Sequence, residues 1–174
     1  MAVNTLKELL RLRLGELYSG EQEVLQLVDA IETETRSRLL RDRLRGRRDE
    51  ARRHMAALEK SFELLGTDPP RAASPALHGL SDERRAFVRE SPGPVALENY
   101  HVDVLSRGAH YQLAAYEGVL LLAREIRQGD VVTLLERCFR DETGAVDWLR
   151  GRRVEVVAEV RPPTNDHAFA GPSA

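Results

Sequence analysis

The sequence predicts an all-α protein whose main body is an antiparallel four-helix bundle with one long crossover. Three observations predict it. In four long segments, apolar residues recur at alternating spacings of three and four, the mark of one packed helix face. Short polar turns join those segments into two pairs, and a single proline-rich stretch divides the pairs. Aromatic residues make up only 5% of the chain, which argues against a β-sandwich core.

The first segment runs from about Thr5 to Glu32, with Leu10, Leu14, Leu17, Glu21, Val24, Val28 and Ile31 on its seam. A polar turn over Thr33–Ser37 leads into the second, whose seam reads Leu40, Leu44, Arg47, Ala51, His54 and Leu58, then Phe62 and Leu65. Gly66 is the expected stop, because glycine adopts the left-handed conformation that closes a helix. From 66 to 93 several prolines forbid a continuous helix, and a short helix capped by Ser81 is expected within this crossover. The third segment spans Pro94 to Gln128, with Glu98, Val102, Leu105, Ala109, Gln112, Tyr116, Val119, Ala123 and Ile126 in register. Gly129 and Asp130 read as a stop and a new N-cap. The fourth segment carries Val131, Leu135, Cys138, Glu142, Ala145 and Leu149 and fades near Val157. Two hairpins joined by one long crossover is the ferritin-like connectivity. Residues 1–158 are expected to form this single domain, and 159–174 a disordered tail.

Composition removes several function classes. A net charge of −2 gives no general pull toward nucleic acid or anionic membrane. The arginine-rich run RSRLLRDRLRGRRDEARR is interleaved with Asp42, Asp49 and Glu50, which favours a solvated helix face over a nucleic-acid surface. No apolar stretch approaches the roughly 20 residues that span a bilayer, and no signal peptide opens the chain, so a cytoplasmic protein is expected. One cysteine, Cys138, excludes an intrachain disulfide and reads as a small core residue. His101 and His110 fall off the third seam and are expected at its edge or exposed.

The informative residues are polar ones where the period demands apolar ones. Glu21 interrupts the first seam and Glu142 the fourth, while Glu50 lies one turn before His54 on the flank of the second. Buried carboxylates are costly unless paired or bound to a cation. Carboxylates and an imidazole on facing helices are the donor set of a metal centre in a bundle core. The bland alternatives are a seam-edge carboxylate reaching water and a histidine satisfied within the core. Arg47 falls level with Glu21 across the first hairpin and either pairs with it or snorkels at the rim.

The stretch ELYSGEQEVL resembles the L-Y-x-A-E-x-Q/K opening of the YciE/YciF-type ferritin-like family. DEARRHMAALEKSFELLG resembles that family's second helix, GAHYQLAAYEGVLLLA its third and LLERCFRDETGAVDWL its fourth. The resemblance implies a homodimeric bundle, a carboxylate-bridged di-iron centre and an association with bacterial stress responses. Glu21, Glu50, His54 and Glu142 match the family pattern, as does Asp147. The third helix departs from it: Ala109 and Gln112 stand where the family has two glutamates, and no histidine follows Glu142 by one turn, where Ala145 and Val146 lie. The expectation is therefore a stress-associated protein with a degenerate or single-metal site. It holds iron or another divalent metal at most once per chain, and none if Arg47 pairs with Glu21. A di-iron oxidase or ferroxidase is the rival class, and a metal-free helical interaction module the third. For the dimer the sequence adds only Leu6, Leu9 and Leu12, partly off the first seam.

Overall fold

The structure, a computed structural model, describes residues 3–69 and 72–158. The tail expected to be disordered lies outside the described residues. Five helices follow in order: α1 (Leu6–Glu34), α2 (Arg38–Leu64), α3 (Pro75–Arg89), α4 (Pro94–Glu125) and α5 (Gly129–Ala158). No strand occurs among the described residues. Helix α1 packs against α2 and α4, and α5 packs against α2 and α4, so these four close a bundle. Cross-bundle pairs such as Tyr18–Glu59, His101–Glu34 and Arg153–Asp103 run in opposite chain directions, so the neighbours are antiparallel. The expected ferritin-like bundle with one long crossover is the observed fold.

Local chemistry sets the helix ends. Thr5 caps α1 in a reciprocal box: its hydroxyl accepts from Glu8 N at 3.2 Å, and Glu8 Oε2 accepts from Thr5 N at 2.9 Å. The Ser37 hydroxyl accepts from Leu40 N and starts α2. Gly66, at φ +64°, ends it as expected, with Thr67 N donating back to Phe62 O. The α4 stop differs from the expectation. Arg127, at φ +58°, takes the left-handed position, and Gly129 becomes the first residue of α5. Gln128 N donates to Ala123 O and so satisfies a terminal carbonyl without glycine.

The crossover also differs. Its helix starts at Pro75, six residues before the expected cap, because proline is well suited to the first helical position. Ser81 is consequently a buried mid-helix residue. Helix α3 lies outside the bundle against α1 and α4. Phe87 stacks on Tyr100 at 3.9 Å between ring centroids, and Arg107 pairs with Glu83 at 2.9 Å. Buried Arg84 pairs with Glu34, which also bonds His101 Nε2 at 3.1 Å. His101, expected at an edge, is therefore fully buried, because α3 covers that side of α4. His110 is exposed.

The core divides into two apolar halves. One gathers Leu10, Leu14, Leu17, Leu58, Phe62, Tyr116 and Leu135, and the other gathers Val24, Val28, Ile31, Leu40, Leu44, Val102 and Leu149. Glu21 on α1 and His54 on α2 fall between the two halves, while Arg47 enters the second half between Leu44 and Ala51. Leu77 of α3 plugs the α1–α4 wall. A Cβ added at Gly20 would lie 3.0 Å from its Cδ1, and one at Gly108 3.6 Å from its Cδ2. Leu77 is 2% exposed, so Leu77→Ala should cost about 2–5 kcal/mol. Urea unfolding checks this, with a lower midpoint and an unchanged slope expected.

Candidate metal centre

Each polar seam residue was placed inward by the period of its helix, and the bundle brings three of them together. Ligand atoms of Glu21 (α1), His54 (α2) and Glu142 (α5) lie within 4.8 Å of one another, and all three residues are buried. His54 Nδ1 lies 2.9 Å from Glu21 Oε1 and 3.6 Å from Glu142 Oε1. Tyr116 on α4 donates its hydroxyl to the same Glu21 oxygen at 2.9 Å and meets the His54 ring edge-on.

Glu50 does not join them. Its carboxylate accepts both Arg43 guanidinium nitrogens, at 3.0 and 3.2 Å, near the bundle surface. The reason is its flank position: the turn of α2 that aims His54 inward leaves residue 50 beside Arg43, two turns away on the same face.

Arg47 occupies the middle of the cluster. Its Nη2 donates to Glu142 Oε1 at 2.5 Å and to Glu21 Oε2 at 3.3 Å. Its side chain is 9% exposed, so it pairs inside the core instead of snorkelling at the rim. One guanidinium thus bridges two carboxylates from α1 and α5, a charge-assisted contact that a low dielectric strengthens. Some polar atoms remain without a hydrogen bond: Glu142 Oε2, Arg47 Nη1 and both amide atoms of Gln112.

The electrostatics follow from burial against these pairings. Burial opposes ionisation of Glu21, but Arg47 and the His54 and Tyr116 hydrogen bonds outweigh it and hold its pKa below the ordinary carboxylate range. At Glu142 burial prevails over Arg47, and nearby Glu21 adds to it, pushing the pKa up to about 7. Burial works against a charged His54, yet the Glu21 bond raises its pKa. Burial also drives the Tyr116 hydroxyl well above its usual value and the Cys138 thiol to about 12, so both are protonated at neutral pH.

The donor set could hold a metal ion. Glu21, His54 Nδ1 and Glu142 converge from three helices, and the unpartnered Glu142 Oε2 is a free acceptor. The fourth helix supplies no charged donor: Ala109 has no ligand atom and Gln112 is neutral. Beside Ala109 and Arg47 lies a mostly apolar cavity of about 40 Å³, reaching Ala145, Trp148 and Leu149. Any cation entering the site meets Arg47 already paired with both carboxylates.

Two participants carried no metal-type signal in the sequence. Tyr116 sat on its seam as an apolar residue. Asp141, off the seam, bonds the outer nitrogen of His54, with Nε2 and Oδ2 3.3 Å apart.

Glu142 has a folded pKa above its unfolded value, so between about 4.5 and about 7 the folded chain holds more protons than the unfolded one. Its contribution to stability therefore falls as pH rises through that window. His54, raised as well, loses its contribution in the same direction as pH passes its folded pKa. Glu21, depressed, acts oppositely and loses its contribution as pH falls. Urea unfolding at a series of pH values should show stability declining toward neutral pH, and Glu142→Gln should flatten that decline.

Comparison with known proteins agrees with this architecture. The model of the family described as "Domain of unknown function (DUF892)" matches residues 5–160. No curated protein sequence matches. Among solved structures, YcfI from Rhodopseudomonas palustris is similar at 24% identity and TM-score 0.81, covering 85% of this chain and 94% of that one. The E. coli stress protein YciF is similar at 16% identity and TM-score 0.85, with 90% and 99% covered. The ferritin-like, diiron-carboxylate proteins of Bacillus anthracis reach TM-score 0.67 at 15% identity, with 87% and 99% covered. At these identities the likeness speaks for the fold. With the family match spanning most of the sequence, this chain belongs to the DUF892 family, and its fold is that of the E. coli stress protein YciF.

Proposed function

We propose that this protein is a stress-associated ferritin-like bundle whose metal centre is degenerate. It holds at most one dication per chain, between Glu21, His54 and Glu142, in competition with the Arg47 guanidinium. It works as a non-catalytic or weakly metal-binding protein. The observation that carries this is the Arg47 bridge between Glu21 and Glu142. Two carboxylates and one guanidinium leave a net charge of one negative unit with His54 neutral, and zero with it protonated. To hold a dication there, His54 would have to be unprotonated at Nδ1 and Arg47 would have to give up its contact with Glu142. A second would find only Glu50 and Asp141 nearby, carboxylates already held by Arg43 and by His54 and Arg53, which is unfavourable at low dielectric.

The metal, when bound, supplies a Lewis-acid or redox centre. The chain's own residues do the rest. Glu21 and Glu142 accept charge from two sides, and His54 offers Nδ1. Tyr116 donates to Glu21 and fixes its rotamer, and the two apolar halves of the core exclude water. The likeness to YciF supports the stress association, since that protein is described as a stress protein.

A cytoplasmic homodimer completes the reading. No helix among the described residues is long and apolar enough to cross a membrane. On α4 the exposed Tyr111 and Leu121 flank Ala114 and Gly118, a stripe of small residues that admits close approach of a second chain. The basic face of α2 is spent on acids, since Arg45 pairs with Glu32 and Arg48 with Asp29 and Glu32, which argues against nucleic acid. Sedimentation at micromolar concentration should give a dimer that Leu121→Glu weakens, and a monomer at all concentrations would rule it out.

Anaerobic Fe(II) titration of the apoprotein tests the centre. The expected stoichiometry is one or less per chain. Arg47→Met should raise the affinity, and Ala109→Glu with Gln112→Glu should move occupancy toward two. Tight uptake of two irons by the unmodified chain, followed by rapid oxidation in air, would establish the oxidase reading instead.

A further inference from the structure

His54 is held at both ring nitrogens by carboxylates from different helices. Nδ1 faces the buried side, 2.9 Å from Glu21 Oε1. Nε2 faces outward, 3.3 Å from Asp141 Oδ2 on α5. The imidazole is 1% exposed, while the Asp141 side chain is 26% exposed and also lies 3.7 Å from Arg53 Nη2. Asp141 precedes Glu142 directly. Neighbouring helical positions point about 100° apart, so Glu142 turns into the core and Asp141 reaches round the edge of α2. A ring flip would exchange the nitrogens and carbons and break both contacts together, so the two carboxylates fix the ring plane and its direction.

A histidine binds a cation through one nitrogen only when that nitrogen is unprotonated and the other keeps its hydrogen. We propose that Asp141 is a positioning residue: it holds the Nε2–H of His54, so that Nδ1 is the nitrogen presented to Glu21, Glu142 and a cation between them. The proposal rests on the single-cation reading for its purpose, though the hydrogen bond itself is independent of any metal. A cation at Nδ1 would require that nitrogen to have given its proton to solvent, while the Nε2 proton stays on the ring and is donated to Asp141. Without the carboxylate, Nε2 has no acceptor among the described residues, and the ring can tilt away from the cluster.

The test uses the full chain with ¹⁵N-labelled histidine and Zn(II), a redox-inert probe. In the unmodified protein the His54 Nε2–H should appear as a slowly exchanging resonance. Asp141→Ala should abolish the slow exchange and weaken Zn(II) binding about 10–100-fold in a chelator competition. Asp141→Asn should restore both, because its amide oxygen still accepts from Nε2–H. That variant cannot form an ion pair with Arg53, so rescue separates positioning of His54 from a simple surface salt bridge. Asp141→Ala with an unchanged Nε2–H signal and unchanged affinity overturns the proposal, as does Asp141→Asn behaving like Asp141→Ala. If the unmodified protein takes up no Zn(II), the single-cation reading fails on its own, and the Nε2–H signal still decides the role of Asp141.

Discussion

Two carboxylates cannot be left ionised and unpaired inside a bundle core, and the packing of this protein turns on how that demand is met. Glu21 and Glu142 enter the interior from α1 and α5, and Arg47 enters between them from α2. The guanidinium is planar, permanently charged and long enough to touch both, so the core receives its cation from the sequence itself. Removing one member of such a group leaves a buried charge behind, at a cost of about 3–5 kcal/mol. The group therefore ties α1, α2 and α5 together, and Tyr116 adds α4 through its hydrogen bond to Glu21.

The same arrangement limits what the centre does. Glu21, His54 and Glu142 offer donors that suit a divalent metal, but an internal cation already satisfies two of them. A small cavity lies beside Ala109 of α4, lined largely by Leu, Ala and Val side chains. Under the proposed reading this balance favours weak or single occupancy, and the Glu142 carboxyl, pushed up to about 7, changes protonation near neutral pH. Structures of similar fold include proteins described as diiron-carboxylate, which shows that the bundle geometry supports such a centre in other chains.

Most of the fold was legible because helical period reports which face is buried. Every residue from Leu10 to Ile31 named on the first seam is buried, and so is every named residue from Leu40 to Leu65 on the second, Arg47 and His54 included. Period does not report where the end of a long side chain goes. Glu142 stands on its seam and Glu50 on a flank, and it is their arginine partners that complete the separation: Arg43 draws the flank carboxylate outward while Arg47 holds the other within. Asp141 was illegible for the converse reason: it stands off the seam, and only the sideways reach of a short carboxylate brings it to His54. The crossover helix escaped notice before Ser81 because the prolines that break one pattern also start the next. His101 is buried and not at an edge because α3 lies over it, a cover of which the period of its own helix carries no sign.

The central claim is that Arg47 acts as the resident cation of this core. Crystals of the full chain soaked anaerobically in Mn(II), with anomalous scattering recorded, test it most directly. The account predicts no peak, or one peak between Glu21, His54 and Glu142 accompanied by withdrawal of the Arg47 guanidinium from Glu142. Two fully occupied peaks about 3.5–4 Å apart, the spacing of a bridged pair, with Arg47 still in contact with both carboxylates, would contradict it.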